Sequence, residues 1–108
     1  NHYHFLEELS QCPVDQISVE TAQPNLDLSA LIPIADKTII LGVINLDDMT
    51  VESEQLVADR IERAFEFLAP ENVIPAPDCG FKYLPRDIAF AKLQALVEGT
   101  RLVRQKLG

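Results

Sequence analysis

Apolar and polar positions fall in alternating blocks along the chain, and the blocks predict helices and strands in turn. Residues 5–10 (FLEELS) read as the end of a helix, closed by the loop Gln11-Cys12-Pro13. Residues 16–20 (QISVE) form a short β-branched run suited to a buried strand. Residues 28–35 are a brief apolar stretch that predicts a short helix, interrupted by Pro33. The clearest element is residues 37–45 (KTIILGVIN), a continuous apolar run typical of a parallel strand covered on both faces. Ser53 is a good N-cap for a helix over residues 54–68. Leu56, Val57, Ile61, Ala64, Phe65 and Leu68 share one face of it, and Asp59, Arg60, Glu62, Arg63 and Glu66 fall elsewhere. A third strand is predicted over residues 72–76 (NVIPA), bounded by Pro77, with Pro75 awkward for a central strand. The last helix opens near Pro85 and carries Ile88, Leu93, Leu96, Val97, Thr100, Val103 and Leu107 at helical spacing. Arg101, Arg104 and Lys106 complement the dipole at its C-terminal end, and Gly99 inside it costs about 1 kcal/mol against Ala.

The resulting order is β-α-β-α-β-α, with crossovers long enough for parallel strands. Three parallel strands with two open edges form a meagre sheet. The expected fold class is therefore α/β with parallel strands, a portion of something larger such as three of the eight units of a (β/α)8 TIM barrel. The chain does not begin with Met, so residues upstream are expected.

Composition narrows the class of function. A hydrophobic fraction of 47% and a charged fraction of 24% suit an ordinary globular domain. No apolar run reaches the ~18 residues that span a bilayer, and the first ten residues lack the basic and apolar regions of a secretory leader. With 9 Lys+Arg against 17 Asp+Glu, the net charge is -8, and the cations are scattered. Phosphate-binding surfaces need clustered cations, so neither nucleic acid nor an anionic membrane is an expected partner. Cys12 and Cys79 follow no disulfide spacing, which predicts reduced thiols in a cytoplasmic setting.

Sites on parallel sheets form at the C-terminal ends of the strands. Here those ends carry Glu20, then Asn45 with Asp47 and Asp48, then Asp78-Cys79-Gly80. A carboxylate and a thiolate on one rim suit zinc, whereas magnesium would not choose the thiol. Each residue also has an ordinary role. A strand-end Glu usually faces solvent or a nearby cation, and an unpaired Cys is most often a small buried hydrophobe. His2 and His4 have chelate spacing but lie in the terminal segment, where exposure is the usual state. Cys12 has no evident co-ligand, Asp47 and Asp48 suit a solvated loop, and Lys82 has the charge to meet an anionic substrate group.

The segment Pro77-Asp78-Cys79-Gly80-Phe81-Lys82 is similar to the P-D-C-G-[LF]-K motif of cobalamin-independent methionine synthases. Residues 15–21 (DQISVET) resemble the D-x-I-x-x-E-x strand of that family. Leu41-Gly42-Val43-Ile44, followed by Val51-Glu52-Ser53, resembles its glycine-bearing strand and the start of the next helix. Pro85-Arg86-Asp87 continues in the family's order, so the resemblance covers roughly residues 13–105.

That resemblance implies that residues 1–108 are the C-terminal β-α units of a (β/α)8 catalytic TIM barrel in which Glu20 and Cys79 are zinc ligands, beside a His and a Cys from an upstream H-x-C. No H-x-C occurs in these 108 residues, and His2-Tyr3-His4 differs at its third position. The implied reaction transfers a methyl group from a folate-type donor to a thiol such as homocysteine, as in methionine biosynthesis. Zinc would lower the thiol's pKa, and the expected partners are the small-molecule thiol and methyl donor. Asn45 stands where many members have Asp, Ala22-Gln23 replaces S-R, and Tyr83-Leu84 replaces T-R. These departures bear on folate-type donor binding more than on the metal. Two alternatives stay open: a related zinc-dependent thiol alkyltransferase with another substrate, and a non-enzymatic barrel fragment that forms homo-oligomers through its open sheet edges. A small doubly wound domain using Asp47 and Asp48 fits the crossovers but not the PDCG segment.

Overall fold

The computed structural model describes residues 6–22, 27–47, 49–80 and 83–108. In chain order the elements are α1 (Leu6–Leu9), β1 (Gln16–Glu20), a 3-10 helix (Leu28–Ile34), β2 (Thr38–Ile44), α2 (Glu54–Ala64), a 3-10 turn (Pro70–Asn72), β3 (Val73–Pro77) and α3 (Arg86–Leu107). The strands form one parallel sheet in the order β1-β2-β3. Strands and helices together form a partial, open barrel, as the block pattern predicts.

Sheet register separates two faces, because successive side chains point to opposite sides. Ile17 pairs with Ile39 and Ile39 with Val73; Val19 pairs with Leu41 and Leu41 with Pro75. Ile39, Leu41 and Val43 are fully buried on that face, in one core with Val57, Ile61 and Ala64 of α2 and Leu96 and Val103 of α3. The opposite face carries Ser18, Ile40 and Ile74 in register. Ser18 is exposed, Ile40 is half-buried and Ile74 is 43% exposed, so among the described residues this face carries no helix layer. Glu20, Gly42 and Ala76 continue the same open row toward the C-terminal ends. Between Gly42 and Ile44 the register shifts, so that Ile44 rather than Val43 partners Pro77. β3 forms an edge of this sheet, a position that tolerates Pro75.

The helices depart from the sequence reading in two places. α2 ends at Ala64, four residues early, and the chain tightens through Phe65 N–H to Glu62 O (3.0 Å) and Phe67 N–H to Ala64 O (3.0 Å). That turn brings Leu68 into the core at 3% exposure before Pro70 begins the next turn. Leu56, expected on the buried face, is partly exposed, and Ala58 is buried instead.

α3 is rotated from the face that its large apolar residues predict. Lys92, Ala95, Leu96, Gly99 and Val103 are buried, whereas Leu93, Val97 and Leu107 are exposed. The reason is close packing against α2. A Cβ on Gly99 would stand 2.9 Å from Glu54 O and closer still to the Val57 side chain. A small residue at the crossing lets the two helices approach, which turns the bulkier residues outward.

Candidate functional site

Construction of the rim begins with hydrogen bonds that outrun the strands. Beyond β1, Thr21 donates twice to Gly42 O, from its backbone N–H at 3.2 Å and its hydroxyl at 2.6 Å. Beyond β3, the Asp78 N–H donates to Ile44 O at 3.1 Å. Asp78 is 6% exposed, and its Oδ1 accepts from the Ala22 N–H at 3.3 Å. The three strand ends are thereby stitched together. Glu20 lies immediately before the first stitch, and Cys79 immediately after the last.

Glu20 is half-buried on the open face, and Cys79 is an exposed free thiol beyond the end of β3. Their donor types, a carboxylate and a thiol, fit a borderline-soft ion such as zinc. Among the described residues, no group of three or more His, Cys, Asp and Glu side chains is arranged to hold a metal. A four-coordinate site on this rim would therefore draw further ligands from outside them.

The other candidates separate clearly. Cys12 is exposed in a loop fastened by Lys37, whose Nζ donates to Cys12 O at 3.1 Å and to Val14 O at 2.8 Å. Asn45 Oδ1 accepts from the Asp47 N–H at 2.8 Å, an Asx-type turn that shapes the loop. His2, His4, Asp48 and Lys82 lie outside the described residues.

Sequence reasoning missed the most buried charged group on the rim. Lys92 of α3 is fully buried, and its ammonium donates to Asn45 O (2.8 Å), Thr50 O (2.7 Å) and Glu52 Oε1 (3.0 Å). Three protons meet three acceptors. Glu52 Oε2 accepts from the Asn45 N–H at 2.7 Å and from Arg60 at 3.2 Å, and Arg60 also reaches Val43 O at 2.9 Å. Burial pushes the Glu52 carboxyl pKa up, but the Asn45 N–H and the Lys92 hydrogen bond and charge outweigh it and hold the value below the ordinary 4.5. One signal was available: Lys92 interrupts a stripe of small and apolar residues that continues through Ala95, Leu96, Gly99 and Val103. A cleft of about 460 Å³ among α2, α3 and β3 is lined by Ile61, Phe65, Val73 and Val103, and neither Glu20 nor Cys79 borders it.

The sequence model for the family described as cobalamin-independent synthase, catalytic domain, matches residues 1–101. The chain belongs to the cobalamin-independent methionine synthase family. Within that family it is 37% identical over 106 residues to a methionine synthase of Sulfurisphaera tokodaii, which covers 97% of this chain and 31% of the relative. It is 34% identical over 108 residues to the methionine synthase of Thermococcus kodakarensis, covering 99% of this chain and 32% of that protein. The solved structure of a B12-independent methionine synthase from Shewanella sp. W3-18-1, in complex with selenomethionine, superposes with a TM-score of 0.91 at 29% identity. That match covers 94% of this chain and 30% of the Shewanella chain. The chain thus spans about a third of the length of the family members it matches. The open arrangement of the three-strand rim is consistent with part of a TIM barrel.

Proposed function

We propose that this chain supplies Glu20 and Cys79 as two zinc ligands in a methyltransferase that moves a methyl group from a folate-type donor to a thiol such as homocysteine. The observation that carries the reading is the carboxylate at the end of β1 and the thiol beyond β3, on the stitched rim of a methionine-synthase-family barrel. When bound, zinc lowers the pKa of a coordinated thiol, so that the thiolate persists near neutral pH. Methyl transfer then forms a sulfur–carbon bond as the donor–methyl bond breaks, and the bonding pair stays on the donor, which takes up a proton. Glu20 and Cys79 fix the metal, Asn45 and Asp47 shape the neighbouring loop, and the remaining ligands come from elsewhere in the barrel. Two exposed free thiols suit a reducing cytoplasm. Among the described residues, no helix is long and apolar enough to cross a membrane.

Metal analysis of the full-length protein tests this reading. Cys79→Ser and Glu20→Gln should each lose bound zinc and methylation of the thiol by a methylated folate. Unchanged zinc content in Cys79→Ser would remove the ligand assignment.

A second reading rests on a different observation. Phe90, Leu93 and Val97 form an exposed apolar row on α3, and Ile74 is exposed on the edge strand. That surface favours a barrel fragment that closes itself by assembly with further copies. Sedimentation of the chain as a stable monomer would exclude it.

A further inference from the structure

Asp78 is buried, charged and adjacent to Cys79, yet the reaction proposed above leaves it without a role. Its backbone N–H extends the β2–β3 ladder to Ile44 O, and its Oδ1 reaches across the sheet to the Ala22 N–H. One residue therefore joins the loop after β3 to the loop after β1. It rests on Gly42 of the middle strand: a Cβ there would lie 2.9 Å from Asp78 Cα and would overlap Oδ1. Gly42 O in turn holds Thr21, the residue after Glu20. The geometry is a closed circuit, Gly42 to Thr21, Ala22 to Asp78, and Asp78 packed back on Gly42. Glu20 and Cys79 flank it.

We propose that Asp78 is a positioning residue that sets Glu20 and Cys79 relative to each other, with Gly42 as the gap that admits it. The proposal rests on the reading of Glu20 and Cys79 as metal ligands. Groups behind the ligands typically alter metal affinity by tenfold or more without touching the ion. Asp78 acts here through its acceptor oxygen and its seat, so a neutral residue with the same oxygen should serve.

Chelator competition for zinc in the full-length protein tests this, with the unfolding midpoint of the metal-free protein recorded for each variant. Asp78→Ala should weaken zinc by about 10- to 100-fold. Asp78→Asn, which keeps an oxygen for the Ala22 N–H, should restore affinity close to the parent's. Gly42→Ala should reproduce the loss while leaving every charge in place, and it carries the test should Asp78→Ala fail to fold. Parent-like affinity in Asp78→Ala or Gly42→Ala, or an equal loss in Asn and Ala at position 78, overturns the proposal. Cys79→Ser separates the two claims. If it keeps zinc, the ligand reading fails; if it loses zinc while Asp78→Ala binds normally, only the positioning role fails.

Discussion

At the end of β2 the chain closes its charged groups among themselves, whereas beyond β1 and β3 it stitches Thr21 and Asp78 to neighbouring backbone and leaves the Cys79 thiol exposed. Lys92, Glu52 and Arg60 consume one another and the carbonyls of Val43, Asn45 and Thr50. Glu20 and Cys79 sit on the open row and beyond it, with the thiol exposed. The two regions lie on the same rim of the same sheet, so their difference is one of assignment. Buried charges with complete partners fix a backbone, while an exposed thiol on a fixed backbone can take up a ligand. The closed region should answer to stability measurements and the open one to binding.

Lys92→Met should give the largest loss, about 3–5 kcal/mol in urea unfolding, because it leaves Glu52 buried without its ammonium partner. Pairing it with Glu52→Gln should recover part of that loss. A coupling energy near zero in this double-mutant cycle would show that the residues do not act as a unit. Gly99→Ala, beneath the same region, should cost about 1–3 kcal/mol through overpacking against Val57 and Glu54, despite a helix-propensity gain of ~1 kcal/mol. Stabilisation of that variant would mean that the helices can part without loss.

Acid should act on the closed region as well. The folded-state pKa of Glu52 lies below its ordinary 4.5, so its contribution is present above that value and is lost as pH falls through the lower, folded-state pKa. Unfolding midpoints should decline below about pH 4.5, and Glu52→Gln should flatten that part of the profile. A profile unchanged by the substitution would remove Glu52 from the acid response. Cys79→Ser should have the smallest effect on the metal-free protein, within about 0.5 kcal/mol, since the thiol is exposed. A larger change would place Cys79 with the closed region after all.

Much of this was legible in the sequence, for local reasons. Residues 37–45 announced β2 by a continuous apolar run, of which Ile39, Leu41 and Val43 meet the helices while Ile40 is half-buried on the other face. Ser53 announced the start of α2, and its Oγ accepts from the Leu56 N–H at 3.1 Å. The β-α order fixed the rim and put Glu20 and Cys79 on it. What escaped depends on contacts between distant segments. The rotation of α3 follows from a missing side chain at Gly99, and apolar periodicity weighs large residues above small ones. The burial of Lys92 depends on three acceptors that lie 40 to 47 residues away. Asp78 was visible within its motif, but its reach to Ala22 spans 56 residues.

The slip in register between Gly42 and Ile44 makes the rim sensitive to chain length in a way that point substitutions do not reveal. Strand faces alternate with every residue, and the extra position in β2 sets Ile44, whose carbonyl receives the Asp78 N–H, opposite Pro77. Removing one residue from β2 would retain most of the composition and lose that extra position. Loops around this rim can lengthen or shorten, but the stretch from Gly42 to Ile44 behaves like a reading frame: its count is constrained, as is the missing side chain at Gly42.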